Sequence, residues 1–184
     1  MKEEPIKENL PPSGEPCPSA SARERGPIRE STPLAELWPV IREVFDKGGT
    51  FTLCPRGTSM LPLLRPGEDS VTLAPPPEEI KRYDVLLYRR PNGAFVLHRV
   101  YRVEGETLTM IGDNQVNLER GVSKDAVLAI ATGRTREGVY LPFSAPALAR
   151  YASRRMQWLP LRAFFVKGWN KLCRILKIRR KRAS

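Results

Sequence analysis

From Phe51 to Leu141 the hydrophobic pattern has a period of two, and proline or glycine interrupts it every few residues. This feature constrains the fold more than any other. Alternating side chains bury one face of an extended strand, while Pro and Gly supply the turn geometries between strands. The pattern predicts strands at Phe51–Cys54, Ser70–Ala74, Asp84–Arg89, Ala94–Val103, Thr107–Ile111 and Ala126–Arg134. Pro91-Asn92-Gly93 reads as one hairpin turn and Glu104-Gly105-Glu106 as the next. The expected fold is mainly β, led by one helix and followed by a helical tail.

The leading helix is expected in TPLAELWPVIREVFDKGG, with Thr32 as N-cap, Pro33 in the first turn and Gly48-Gly49 as the stop. Leu37, Ile41, Val44 and Phe45 form its apolar stripe, and Pro39 either kinks the helix or marks its start. Residues 1–31 are rich in Pro, Glu, Ser and Arg, with too little apolar surface to offset the entropy of ordering. The organisation is therefore a disordered leader (1–31), a β domain with its helix (32–142) and a basic tail (143–184).

The net charge of +11 is unevenly spread. No Asp or Glu follows Glu137, and residues 138–184 hold 12 Lys and Arg, leaving 19 basic against 20 acidic residues before them. The body is near neutral, so an anionic partner would meet the tail. Residues 147–178 read as helix broken near Pro160, with Leu161, Phe165, Trp169, Leu172 and Leu176 opposite Lys167, Lys171 and Arg174. The chain ends in the basic cluster KIRRKRAS. Two readings of this tail stay open: it lies on an anionic membrane surface, with Trp158 and Phe164 joining the apolar side, or it packs that side on the β body. Nucleic acid ranks below both, because no helix-turn-helix precedes the body.

No apolar run reaches the roughly 18 residues a membrane span needs, and the N-terminus lacks the apolar segment of a secretory signal. The expected location is cytoplasmic, peripheral at the inner face of the membrane if the tail binds lipid. Cys17, Cys54 and Cys173 are odd in number and far apart, which suggests free thiols in a reducing compartment. With one histidine and scattered cysteines, no metal or other cofactor is expected.

Three short segments carry candidate chemistry. RGTSMLP puts Ser59 on a glycine-containing bend. The only histidine, His98, shares a strand face with Val96 and Val100, while Leu97, Arg99 and Tyr101 occupy the other. Ile111-Gly112-Asp113-Asn114 ends a strand in a turn. Each alone reads equally well as structure: a loop, a satisfied core histidine and a glycine turn. Together they supply a hydroxyl, a base to take its proton and a carboxylate to orient that base. A hairpin centred near Gly105 pairs residues whose numbers sum to about 210, which brings Asp113 beside the His98 end of the ladder.

The ordered set GTSMLPLLRPGEDSVTL, KRYDVLLYRRPNGAFVLHRVYRV and TLTMIGDNQVNLE resembles the type I signal peptidases and their relatives, the self-cleaving SOS-repressor peptidases. The match covers roughly residues 50–133. Ser59-Met60-Leu61-Pro62 resembles the Ser-Met-x-Pro box, and Asp84-Val85 the Gly-Asp-x-Val strand start, with Tyr83 where glycine is common. His98-Arg99-Val100 and Gly112-Asp113-Asn114 resemble boxes of the archaeal and endoplasmic-reticulum branch. The resemblance implies a serine endopeptidase that cleaves a leader or signal-like peptide of a preprotein. It implies Ser59 as nucleophile, His98 as general base and then acid, and Asp113 as the residue orienting His98. Glu119, six residues past Asp113, takes the place of a second acid, and Asp125 is a further candidate. Met60 and Pro62 would contact an extended substrate, and the Ser59 backbone N–H would serve the oxyanion.

Gly57 stands where signal peptidases often carry a second serine, and no N-terminal anchor is read here. Two alternatives follow: a peptidase-like domain that binds peptide without cutting, or a self-cleaving repressor-like peptidase, for which Ser-Ala-Ser-Ala at 19–22 is the nearest scissile candidate.

Overall fold

The structure, a computed structural model, describes residues 34–175. The leader, Thr32, Pro33 and the KIRRKRAS end lie outside the described residues. Helix α1 spans Leu34–Asp46 and continues across Pro39, which therefore does not mark its start. It presents Ile41 and Phe45 to the core, the inner half of the expected stripe. Gly48 ends it at φ +73°, donating to the Phe45 carbonyl at 2.8 Å, while Gly49 donates to that of Val44 at 2.9 Å. A left-handed residue after the last turn satisfies carbonyls the helix leaves open.

Eight antiparallel strands follow: β1 (Phe51–Leu53), β2 (Asp69–Ala74), β3 (Val85–Arg89), β4 (Phe95–Glu104), β5 (Thr107–Ile111), β6 (Glu119–Ser123), β7 (Val127–Arg136) and β8 (Val139–Pro142). Their order is β1-β2-β7-β3-β4-β5-β6, with β8 paired to β7. The mainly β expectation holds. Strands β6 and β8 carry no period-two signal because both are short and solvent-facing: β6 reads ERGVS, and β8 ends in a proline. The β4–β5 register at the His98 end pairs Arg99 with Ile111 and Val100 with Met110, as the hairpin arithmetic requires, before a bulge shifts it by one.

Alternation divides the core. Val85 and Leu87 of β3 pack with Ile41, Met60, Leu63, Leu64, Val71 and Leu73 on the face α1 covers. Leu86 and Tyr88 face the other way, onto Val100, Leu108 and Met110. Full burial of each such side chain contributes about 1.5–3 kcal/mol relative to exposure.

Helix α2 (Pro146–Gln157) and helix α3 (Leu159–Ile175) form the tail. The break falls at Trp158 rather than at Pro160, which sits in the first turn of α3, where its missing N–H would have had no partner anyway. Met156 and Leu159 close a third cluster against Ile111. The expectation of three free thiols is corrected at one position: Cys54 is disulfide-bonded.

Candidate active site

The bend bearing Ser59 is built from the inside. Met60, Leu63 and Leu64 are buried in the α1-side core, and the Leu64 N–H bonds the Met60 carbonyl at 2.9 Å. Gly57 at φ +84° turns the chain out of β1. With its successor fixed by the core, Ser59 is left half-buried at the surface end of the turn.

The Gly-Asp-Asn segment locks onto this bend, and each residue has a separate task. Asn114 donates its backbone N–H to the Ser59 carbonyl at 2.7 Å and its side-chain amide to the Thr58 carbonyl at 3.2 Å. Gly112 is there for clearance: a Cβ at this position would sit 2.7 Å from the Ser59 carbonyl oxygen and 3.1 Å from His98 Nε2. The serine bend and the imidazole edge therefore converge on one point. Both also line a cleft of about 260 Å³ with Met60, Arg90, Val96 and Gln115. Pro62 is exposed and lies outside that lining.

Asp113 does something other than expected. Its carboxylate is fully buried and accepts two bonds from the Arg99 guanidinium, at 2.8 and 2.9 Å, and one from the Tyr151 hydroxyl at 3.1 Å. Its carbonyl accepts from Arg155 at 2.7 Å and Arg162 at 3.3 Å. One residue thus fastens the site loop to α2 and α3. Alternation explains the change of partner: Arg99, next to His98, points to the opposite face of β4, and Asp113 meets Arg99 rather than the imidazole.

The groups behind His98 come from β3 and β6. Leu86 pairs with His98 across the β3–β4 ladder, so Tyr88, two residues on, shares the histidine's face. The Tyr88 hydroxyl lies 3.2 Å from His98 Nδ1 and donates to Glu119 Oε2 at 2.7 Å. Arg90 grips Glu119 from the other side, its Nε donating to Oε1 at 2.7 Å. Glu119 Oε2 is itself 3.9 Å from Nδ1. Of the three acids expected near the base, Asp113, Glu119 and Asp125, Glu119 adjoins it. Asp125 lies in the short 3-10 turn before β7, where its N–H caps onto Ser123.

These contacts fix protonation states. Burial pulls His98 down to about 4; the nearby Glu119 opposes this only in part. The imidazole is neutral at pH 7. Burial, reinforced by Glu119, pushes the Tyr88 phenol up, so it keeps its proton. The hydrogen bond from Arg90 holds the Glu119 carboxyl below its usual range. Because Tyr88 gives its one proton to Glu119, its oxygen receives the His98 Nδ1 proton, leaving the Nε2 lone pair on the Gly112 side.

Sequence reasoning missed Tyr88, Arg90 and Tyr151. The first two were within reach, since counting back through the Pro91-Asn92-Gly93 turn places Tyr88 and Arg90 on the histidine's face. Among the described residues no group of three or more His, Cys, Asp or Glu is arranged to hold a metal ion. No protein-family model matches the chain, and no curated protein matches it.

Proposed function

We propose that the chain is a serine endopeptidase in which Ser59 attacks a peptide carbonyl and His98 Nε2 takes the hydroxyl proton. The observation that carries this is the convergence of the Ser59 bend and the His98 Nε2 edge on the single point kept open by Gly112. Attack forms an ester to Ser59, and the amine leaves with the proton held on Nε2. Water then hydrolyses the ester by the reverse proton path. The imidazolium formed on the way is stabilised by Tyr88 and by the Glu119 carboxylate 3.9 Å from Nδ1.

Two features support a leader-like peptide as substrate. The cleft is small, suited to a small side chain at the scissile bond. It shares Pro55, Arg56, Phe95 and Leu97 with an adjoining apolar trough of about 540 Å³, lined also by Leu34, Leu37, Phe51 and Leu53, which suits a flanking apolar segment. Among the described residues β1 is an edge strand, and β5 pairs with β4 only from Arg99 onward, which leaves strand edges beside the cleft. An extended peptide can add there as a strand.

One observation favours a rival, a cleft that binds peptide without cutting: among the described residues Ser59 is in no hydrogen bond with His98 through its side chain. Such contacts often tighten only once substrate is bound. Incubation with a peptide library, read by mass spectrometry, separates the two. Cleavage that disappears in both Ser59→Ala and His98→Ala supports the peptidase; peptide binding with no cleavage supports the rival.

A further inference from the structure

The C-terminal helices carry a surface that the peptidase reading does not use. Of the nine large hydrophobic side chains exposed among the described residues, six lie between positions 158 and 169. Phe164 is 72% exposed, Phe165 63%, Trp158 60% and Trp169 58%. Phe164 and Phe165 touch edge to face, with centroids 5.8 Å apart, and Leu161 and Trp169 lie one helical turn to either side of Phe165. The side of α3 that meets the body is another one: Leu159 is buried, and Arg162 reaches the Asp113 carbonyl. Of the two readings of the tail, packing of its aromatic side on the β body is therefore not what the structure presents.

We infer that α3 docks this aromatic face on an anionic lipid bilayer, lying in the interface plane. Three observations choose that occupant. Residues 138–184 carry 12 basic and no acidic residues, so a second copy of the chain would bring like charge against like. Large aromatics exposed beside cations match the boundary between headgroups and acyl chains, where rings insert and guanidinium or ammonium groups meet phosphate. Among the described residues no helix is long and apolar enough to cross, so the helix lies on the membrane rather than through it. Because Tyr151, Arg155 and Arg162 all bond Asp113, a docked tail holds the Gly112–Asn114 loop, and with it the cleft, close to the surface. Docking does not depend on whether Ser59 reacts.

The test is co-sedimentation of the full chain with vesicles of phosphatidylcholine alone and of phosphatidylcholine mixed with phosphatidylglycerol. Light scattering reports the oligomeric state in parallel. The expected result is binding to the anionic vesicles, weak binding to the neutral ones, and a loss of about tenfold in the combined F164S, F165S and W169S variant. These side chains are exposed, and an unchanged circular dichroism melt confirms that the variant folds. Ser59→Ala should bind as the parent does, which separates this result from the peptidase test. The inference is overturned if the parent ignores anionic vesicles at low ionic strength, or if the triple variant binds them undiminished. It is also overturned if the parent is an oligomer that the triple variant dissociates, since the face would then belong to a second copy.

Discussion

Tyr88 stands between His98 and Glu119, 3.2 Å from the imidazole Nδ1 and 2.7 Å from the carboxylate. A histidine base needs its distal nitrogen held in one tautomer, and a directly bonded carboxylate is the familiar means. Here a phenol is interposed. Tyr88→Phe should keep the ring's packing and remove the connection. We expect kcat to fall by roughly ten- to a hundredfold with KM little changed, a part of the 10²–10⁴ that positioned proton transfer contributes. An unchanged kcat would show that His98 is oriented by something else.

The two acids should separate in the same way. Asp113 is fully buried against Arg99, and deleting one partner of a buried pair leaves an uncompensated charge at about 3–5 kcal/mol. Asp113→Ala is therefore expected to lower the melting temperature sharply and to loosen α2. Glu119 is partly exposed, with Arg90 able to turn to water, so Glu119→Gln should cost activity far more than stability. Thermal melts beside peptide cleavage rates check this; equal stability losses in the two variants would contradict the division of roles.

The expected fold was readable because apolar, β-branched runs bounded by proline and glycine mark the central strands. Strands β2, β3, β4, β5 and β7 lie within two residues of their predicted bounds, although only β7 alternates cleanly in burial. Strands β6 and β8 escaped because an edge strand facing solvent buries too little to leave a pattern. The nearness of His98 and the Gly112–Asn114 loop was likewise legible, since a hairpin's turn fixes its register, whereas Ser59 was singled out by its residue type and its box and not by any register. The partner of Asp113 was misread for a physical reason: adjacent β4 residues point to opposite faces, so proximity along the ladder put the carboxylate beside Arg99. The aromatic exposure of α3 was beyond sequence reasoning, because amphipathic spacing is the same whether the apolar side meets protein or lipid.

The His98 titration gives a pH prediction with a definite sign. Its neutral form is favoured by burial, with a pKa of about 4 against 6.5 for the free side chain. Above pH 6.5 neither folded nor unfolded chain is protonated there, and His98 adds nothing to the pH dependence. As pH falls from 6.5 towards 4, the unfolded chain takes up a proton that the folded one refuses, so stability is lost across that window. The amount is on the order of 3 kcal/mol. A His98→Gln variant should flatten the melting profile between those pH values. If the proposed peptidase activity holds, cleavage should persist down to about pH 5, its acid limb following the depressed pKa; a limb centred near 6.5 would mean the imidazole is solvated when peptide is bound.

Gly112 supplies the sharpest steric test. Its φ is not in the left-handed region, so alanine brings no backbone strain, only a methyl group 2.7 Å from the Ser59 carbonyl oxygen and 3.1 Å from His98 Nε2. Backbone cannot give way as a flexible side chain would, so the two halves of the site must move apart. We expect Gly112→Ala to destabilise by about 1–3 kcal/mol, as overpacking does, and to lower kcat by more than tenfold. Gly57→Ala is the contrasting change: its φ is +84° with open space around the missing Cβ, so the cost is local strain of about 1–2 kcal/mol. If cleavage rates fell equally in both variants at matched stability, clearance between Ser59 and His98 would not be what Gly112 provides.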